Sequence, residues 1–233
     1  MARWKYFLSC EHGGNHIPTA YQPLFKGAGE VLASHRGWDP GALELFHALQ
    51  QQAIDFALYS ETSRLLVELN RSLHKRSLFS VYTRDLPPKE KQALLDRFYH
   101  PFRDCFFSAV AEAIANGHPV FHVSVHSFTP VLHGEVRQAD IGLLYNPAHG
   151  SEKELAQAWK KALHQLAPDL RVRFNYPYLG KTDGHVAPLR KAFGAAYAGI
   201  ELEMNNRYAG NKEVVEVLVQ SYHQVVAQLG SDW

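Results

Sequence analysis

Short apolar runs that each stop at a cluster of histidine, carboxylate or arginine constrain this chain more than any other feature. Tyr6–Ser9 stops at Cys10-Glu-His-Gly-Gly-Asn-His16, Leu65–Leu69 at Asn70-Arg71, and Val120–Val125 at His126-Ser127. Gly199–Met204 carries Glu201 and Glu203 itself and leads into Asn205-Asn-Arg207. Runs of this length, rich in β-branched and aromatic residues, predict strands. Asp140–Leu144 and Leu170–Phe174 read as two more. Longer stretches with helical spacing lie between them. Pro40 to about Tyr59 reads as a helix, with Asp39 as its N-cap and Pro40 in its first position. Pro87 to about Asn116 predicts a long helix or a kinked pair, because Pro101 interrupts the pattern. Helices capped by Ser151 and running over Asn211–Leu229 follow. The order predicts one domain over residues 1–233, three layers α/β/α, with a mixed, mainly parallel sheet covered on both faces. In such sheets ligands bind beyond the carboxyl ends of the strands, which is where the polar clusters fall.

Composition narrows the classes. The chain has 233 residues, 46% of them hydrophobic and 20% charged, as expected of a packed globule. Twenty-four Lys and Arg against 23 Asp and Glu leave a net charge of +1, so no field draws nucleic acid or anionic lipid. No segment supplies the roughly 18 consecutive apolar residues of a membrane span. The first residues have too short an apolar run for a signal peptide. Two cysteines, Cys10 and Cys105, form no multi-bridge framework, so the expectation is a reduced, cytoplasmic enzyme. Fourteen histidines are the unusual count, because imidazole is the commonest metal ligand.

Three constellations carry chemistry. Glu11-His12-Gly13-Gly14-Asn15-His16 offers imidazoles beside glycines that leave room for a ligand, or else a plain glycine-rich turn. In Val123-Ser-Val-His126-Ser-Phe128, His122 and His126 share one strand face. His126 closes the strand and reads as a ligand, while His122 lies deeper and reads as a hydrogen-bonded core histidine. Glu201 and Glu203 share one face of an apolar strand. A buried carboxylate is costly unless a cation meets it, so the pair points to a metal, a catalytic task, or an ion pair with Arg64, Arg71 or Arg137. Asn70-Arg71 and Arg137 are candidates to grip a substrate carboxylate through a bidentate guanidinium. Asp39 either caps its helix or completes a three-ligand zinc site with two histidines. Tyr176–Gly184 is a turn-rich loop suited to a lid or to plain connection.

Taken together, these segments resemble the N-formylglutamate amidohydrolase family. The pieces are Ser9-Cys-Glu-His-Gly-Gly-Asn-His-Ile-Pro18, Trp38-Asp-Pro-Gly-Ala42, Ser63-Arg-Leu-Leu-Val-Glu-Leu-Asn-Arg-Ser72, His122-Val-Ser-Val-His-Ser-Phe128, Arg137-Gln-Ala-Asp-Ile-Gly142 and Gly199-Ile-Glu-Leu-Glu-Met-Asn-Asn206. The resemblance implies a zinc-carboxypeptidase-like (phosphorylase/hydrolase-like) fold and a zinc hydrolase of a carbon–nitrogen bond other than an ordinary peptide bond. It implies one zinc ion held by His12, Asp39 and His126, with Glu11 the local competitor of Asp39. Glu203 looks like the glutamate that activates the attacking water, and Arg71 is counted with it as catalytic. Asn70, Arg71 and Arg137 are the implied grip on a small acyl-amino-acid substrate. The role of Glu201 stays open. Two other readings stand beside this one: a hydrolase of the same fold with another amide or peptide substrate, and a non-catalytic small-molecule-binding protein.

Overall fold

The computed structural model describes residues 3–231. A six-stranded sheet is built from β1 (Lys5–Cys10), β2 (Phe56–Tyr59), β3 (Val120–Phe128), β6 (Ile141–Leu144), β7 (Val172–Phe174) and β8 (Tyr197–Asn205), while β4 (Val131–Leu132) and β5 (Glu135–Val136) form a small hairpin apart from it. The strand order is β2-β1-β3-β8-β6-β7. Only the β6–β8 pairing is antiparallel; the others are parallel, so the sheet is mixed and mainly parallel as expected. The helices are α1 (Gly29–Ala33), α2 (Ala42–Gln50), α3 (Pro88–Leu94), α4 (His100–Ala115), α5 (Gly150–Leu166), α6 (Val186–Phe193) and α7 (Lys212–Ser231). None among the described residues is long and apolar enough to cross a membrane. Cys10 and Cys105 are both free thiols.

The two sheet faces differ, because a strand's side chains alternate with period two. Leu8, Val123, Val125, Ile200 and Leu202 point one way and pack with Leu45 and Phe46 of α2, Trp159 of α5, and Leu218 and Tyr222 of α7. Each of these side chains is at most 1% exposed, and full burial of a large apolar side chain contributes roughly 1.5–3 kcal/mol. Phe7, Val120 and Tyr197 belong to a smaller cluster with Phe106 and Val110 of α4 and Val186 and Leu189 of α6. On this second face, continuing from Phe7, Val120 and Tyr197, the alternate strand positions are Ser9, His122, Ser124, His126, Glu201 and Glu203. Parallel register sets Ser124 beside Glu201 and His126 beside Glu203.

His122 sits at the root of this polar row. Its ring nitrogens meet Ser9 Oγ at 2.7 Å and the Tyr197 hydroxyl at 2.5 Å, as the core-histidine reading requires. Burial holds its pKa down to about 3. The unfolded chain takes up that proton near pH 6.5, whereas the folded chain does not until about pH 3. The neutral ring therefore contributes stability above pH 6.5, and this is lost as the pH falls toward 3. We expect the unfolding free energy of His122→Gln, measured in urea between pH 6.5 and 3, to depend on pH less steeply than wild type by about one proton. Equal slopes would show that His122 is charged in the fold.

Several expected elements differ. The helix read over Pro40–Tyr59 ends at Gln50, and Phe56–Tyr59 instead forms the edge strand β2. Its backbone satisfies the free side of β1, and Phe56 packs on Phe7 and Phe106 at 5.3 and 5.6 Å between ring centroids. The N-cap of α2 is Gly41, in the left-handed region at φ 83°, rather than Asp39. A Cβ there would also sit 2.9 Å from the Ala209 backbone. Leu65–Leu69 is a series of turns, not a strand. Leu65 and Leu66 pack into one small cluster and Val67 and Leu69 into another, and such burial produces an apolar run that periodicity cannot separate from a strand. The kink in the long helical stretch is a π-helical turn at Leu95–Tyr99 between α3 and α4, with Pro101 in the first turn of α4. Ser151 lies inside α5 and does not cap it.

Candidate active site

At the carboxyl-terminal ends of β1 and β3, three buried side chains converge. His12 and His126 are 1% and 3% exposed, and Asp39 is 4% exposed. His12 Nδ1 lies 3.3 Å and His126 Nδ1 2.9 Å from the same oxygen, Asp39 Oδ2. One donor atom from each residue falls within 4.8 Å of the others, a spacing that suits a single metal ion. His12 is placed by the turn that ends β1, where its carbonyl accepts the Asp39 N–H. His126 is placed by β3. Asp39 is free for this task because Gly41, not Asp39, occupies the cap of α2.

Each ring is fixed from behind by a carboxylate. His12 Nε2 is bonded to Glu68 Oε1. His126 Nε2 lies 3.0 Å from Glu11 Oε2 and 2.9 Å from Ser124 Oγ, whose hydroxyl donates to Glu11. A carboxylate at Nε2 keeps the proton on that nitrogen and presents the Nδ1 lone pair to a metal, the usual arrangement of ligating histidines. Glu11 thus stands behind His126, while Asp39 stands between the two rings. Arg64 joins both sides of the cluster, reaching Asp39 Oδ1 at 3.2 Å and Glu68 Oε2 at 2.6 Å.

The charges of this cluster are interdependent. Burial opposes ionisation of Asp39, Glu11 and Glu68, but the histidines and, at Asp39 and Glu68, Arg64 outweigh it and hold all three carboxyls below their ordinary range. Burial likewise favours neutral imidazoles, yet the surrounding carboxylates raise His12 and raise His126 further. A cation therefore has its negative partners waiting, and it would displace protons from the two rings.

Glu203 behaves differently. It is 5% exposed, and its Oε2 has no hydrogen-bond partner among the described residues. Burial, against the opposing charge of His126, raises its pKa to about 7. His12, Asp39, His126, Glu201 and Glu203 line one cavity of about 170 Å³ together with Arg64, Asn70, Arg71 and Tyr178. Arg71 Nη1 donates to the carbonyls of Asn70 and Asp183, at 2.6 and 3.3 Å. Asn70 turns its amide toward His126 Nε2, at 3.4 Å, and accepts the His185 N–H.

The structure thus brings His12, Asp39, His126, Glu203, Asn70 and Arg71 together. Arg137 stands one layer back. Its guanidinium lies over the Phe128 and Tyr178 rings, 5.7 and 5.1 Å from their centroids, and donates to the Tyr178 hydroxyl. His16 is exposed and lines a separate hollow with Tyr59 and Thr62. Gly14 makes room for the chain rather than for a ligand, since a Cβ there would sit 2.5 Å from the Glu61 carbonyl. Glu68 was not singled out in the sequence, although a carboxylate within Leu65-Leu-Val-Glu-Leu69 is the same signal that marks Glu201 and Glu203.

Comparison with known proteins shows the family. The N-formylglutamate amidohydrolase profile matches residues 5–209, which include every residue of the site. The chain belongs to the N-formylglutamate amidohydrolase family. As a member it is an amidohydrolase, acting on an amide other than an ordinary peptide bond. A gene product of Agrobacterium tumefaciens of solved structure is 31% identical to this family member, over 99% of this chain and 92% of that one, with a TM-score of 0.81. An N-formylglutamate amidohydrolase from Ralstonia eutropha JMP134 shares the fold, with a TM-score of 0.67 at 15% identity, over 99% of this chain and 94% of that one. Among curated proteins none matches.

Proposed function

We propose that the chain is a zinc-dependent hydrolase of small N-acyl amino acids, with N-formylglutamate as the first substrate to test. The observation that carries this reading is the meeting of His12 Nδ1, His126 Nδ1 and Asp39 Oδ2 beside the unpartnered oxygen of Glu203. The donor set fits zinc: two imidazoles and one carboxylate leave a position open, and a carboxylate behind each ring sets its tautomer. Zinc supplies a Lewis acid there, acidifying water and offsetting charge that develops on the carbonyl oxygen.

The chain's own residues do the rest. Arg71 takes the substrate carboxylate with its remaining N–H groups and so fixes the acyl carbon. Glu203, ionised, accepts at Oε2 the proton that water releases as its oxygen bonds to that carbon. It then gives the proton to the amide nitrogen as the C–N bond breaks, leaving a carboxylic acid and an amine. A pKa raised toward neutrality serves both transfers. Asn70 accepts the His185 backbone N–H at Oδ1, which ties the Arg71 segment to the loop ahead of α6.

Elemental analysis together with formate release from N-formylglutamate tests the proposal. We expect about one zinc per chain and formate in step with free glutamate. A chain that takes up no zinc under metal-replete conditions would overturn the metal assignment. A zinc-loaded chain that leaves every N-formyl amino acid intact would overturn the reaction.

A further inference from the structure

Arg137 is a buried cation without an anion. It is 9% exposed, and no carboxylate among the described residues pairs with it. Nearby arginines are answered, Arg64 by Asp39 and Glu68 and Arg190 by Glu152. Arg137 instead donates to the Thr129 carbonyl at 3.4 Å and to the Tyr178 hydroxyl at 3.1 Å, with its guanidinium set over the Phe128 and Tyr178 rings. A guanidinium held out of water is costly unless an opposite charge meets it. Arg137 does not reach the cavity, but Tyr178 lines it and is 48% exposed there. Because the Tyr178 oxygen accepts from Arg137, its own hydrogen is left to donate, and it has no acceptor among the described residues.

The charges of the cavity divide between its two sides. Glu201 faces His126, Arg190 and Arg71, with Glu11 opposing them. Asp183 lies beside Arg71, and its carboxylate accepts from the Ser72 backbone N–H and hydroxyl. Asp39 sits among the two histidines and Arg64. On the Tyr178 side the neighbouring charges are mainly positive. Burial, followed by Arg137, Arg36 and Arg64, holds His35 in that wall below its ordinary pKa, with Asp39 opposing. Tyr178 is also held in place, because its loop is pinned through Gly180 to Asn175 Oδ1 at 2.9 Å and through Asp183 to Ser72.

We propose that the Tyr178 hydroxyl, with Arg137 behind it, takes the second carboxylate of a dicarboxylic N-acyl amino acid while Arg71 holds the first. Tyr178 is then the residue that touches the substrate side chain, and Arg137 is a positioning residue that acts through it. This rests on the hydrolase reading above and assigns the side-chain preference of the same site.

Two matched pairs of ligands test it, alike in shape and different in charge. One is N-formylglutamate against N-formylglutamine, compared by kcat/KM. The other is L-glutamate against L-glutamine, compared by calorimetric binding to the protein as purified, with no turnover required. A charge-assisted hydrogen bond predicts that wild type favours the acidic member of each pair by ~10–10²-fold. Tyr178→Phe keeps the ring over Arg137 and should remove most of that preference, through KM for N-formylglutamate rather than kcat. Arg137→Met should remove it as well, and Arg137→Lys should restore part of it. A purely structural Arg137 would instead weaken both members of a pair alike. Equal binding of glutamate and glutamine by wild type would overturn the proposal, as would a preference that survives Tyr178→Phe. If neither N-formyl amino acid is hydrolysed but glutamate binds over glutamine in wild type and not in Tyr178→Phe, the hydrolase reading falls and the assignment of Tyr178 stands.

Discussion

Replacing Glu203 by glutamine is expected to lower kcat/KM by ~10²–10⁴-fold, the usual contribution of a positioned acid–base group. Glutamine has nearly the same shape and retains one carbonyl oxygen, but it neither accepts nor returns a proton. The effect should appear in kcat with zinc content unchanged, because Glu203 lies outside the three-residue donor set. The pH profile provides an independent check. The carboxyl must be ionised to act as a base, and burial raises it to about 7 in the metal-free protein. Activity should therefore rise with pH through an acid limb below 7, since a divalent ion nearby lowers that value. Glu203→Gln should lose this limb along with the rate. A variant that keeps a tenth of the wild-type rate would exclude Glu203 as the base.

Asp39→Asn and His126→Ala should each abolish tight zinc binding if the proposed metal site is correct. Either change removes one of three donors and leaves an open site with only two. Glu68→Gln should be milder, lowering affinity ~10–100-fold, because Glu68 orients His12 without being a donor itself. Competition with a chromogenic chelator measures all three, and circular dichroism separates metal loss from unfolding. Apparent affinity should rise with pH, because both rings give up protons that the carboxylates hold on them in the free protein. Glu11→Gln completes the comparison, since Glu11 lies behind His126. If Glu11→Gln lost zinc while Asp39→Asn kept it, the carboxylate donor would have to be reassigned.

Much of the architecture was legible along the chain. The strands β1, β3 and β8 emerged from apolar runs, and their polar endings marked the mouth of the site, because side-chain alternation and strand termini are local properties. Glu201 and Glu203 stood out for the same reason, as carboxylates in an otherwise apolar strand. Leu65–Leu69 shows the limit of such reasoning. Its residues are apolar because two small clusters bury them, and a buried turn leaves the same trace as a buried strand. Phe56–Tyr59 shows another limit. It continues a helical spacing, but the open edge of β1 recruits it as a strand.

Residue chemistry by itself marked His126 and the Glu201–Glu203 pair as candidates and left the His12 cluster open between a ligand and a turn, and the family resemblance singled out His12 and Glu203. It left Asp39 and Glu11 as rivals, and it did not mark Glu68 or the Arg64 bridge. Those depend on contacts between segments 25 to 56 residues apart along the chain. No sequence pattern reports whether a carboxylate lies between two rings or behind one. Only the tertiary structure decided that, by setting Asp39 Oδ2 against both Nδ1 atoms and Glu11 against the far side of His126.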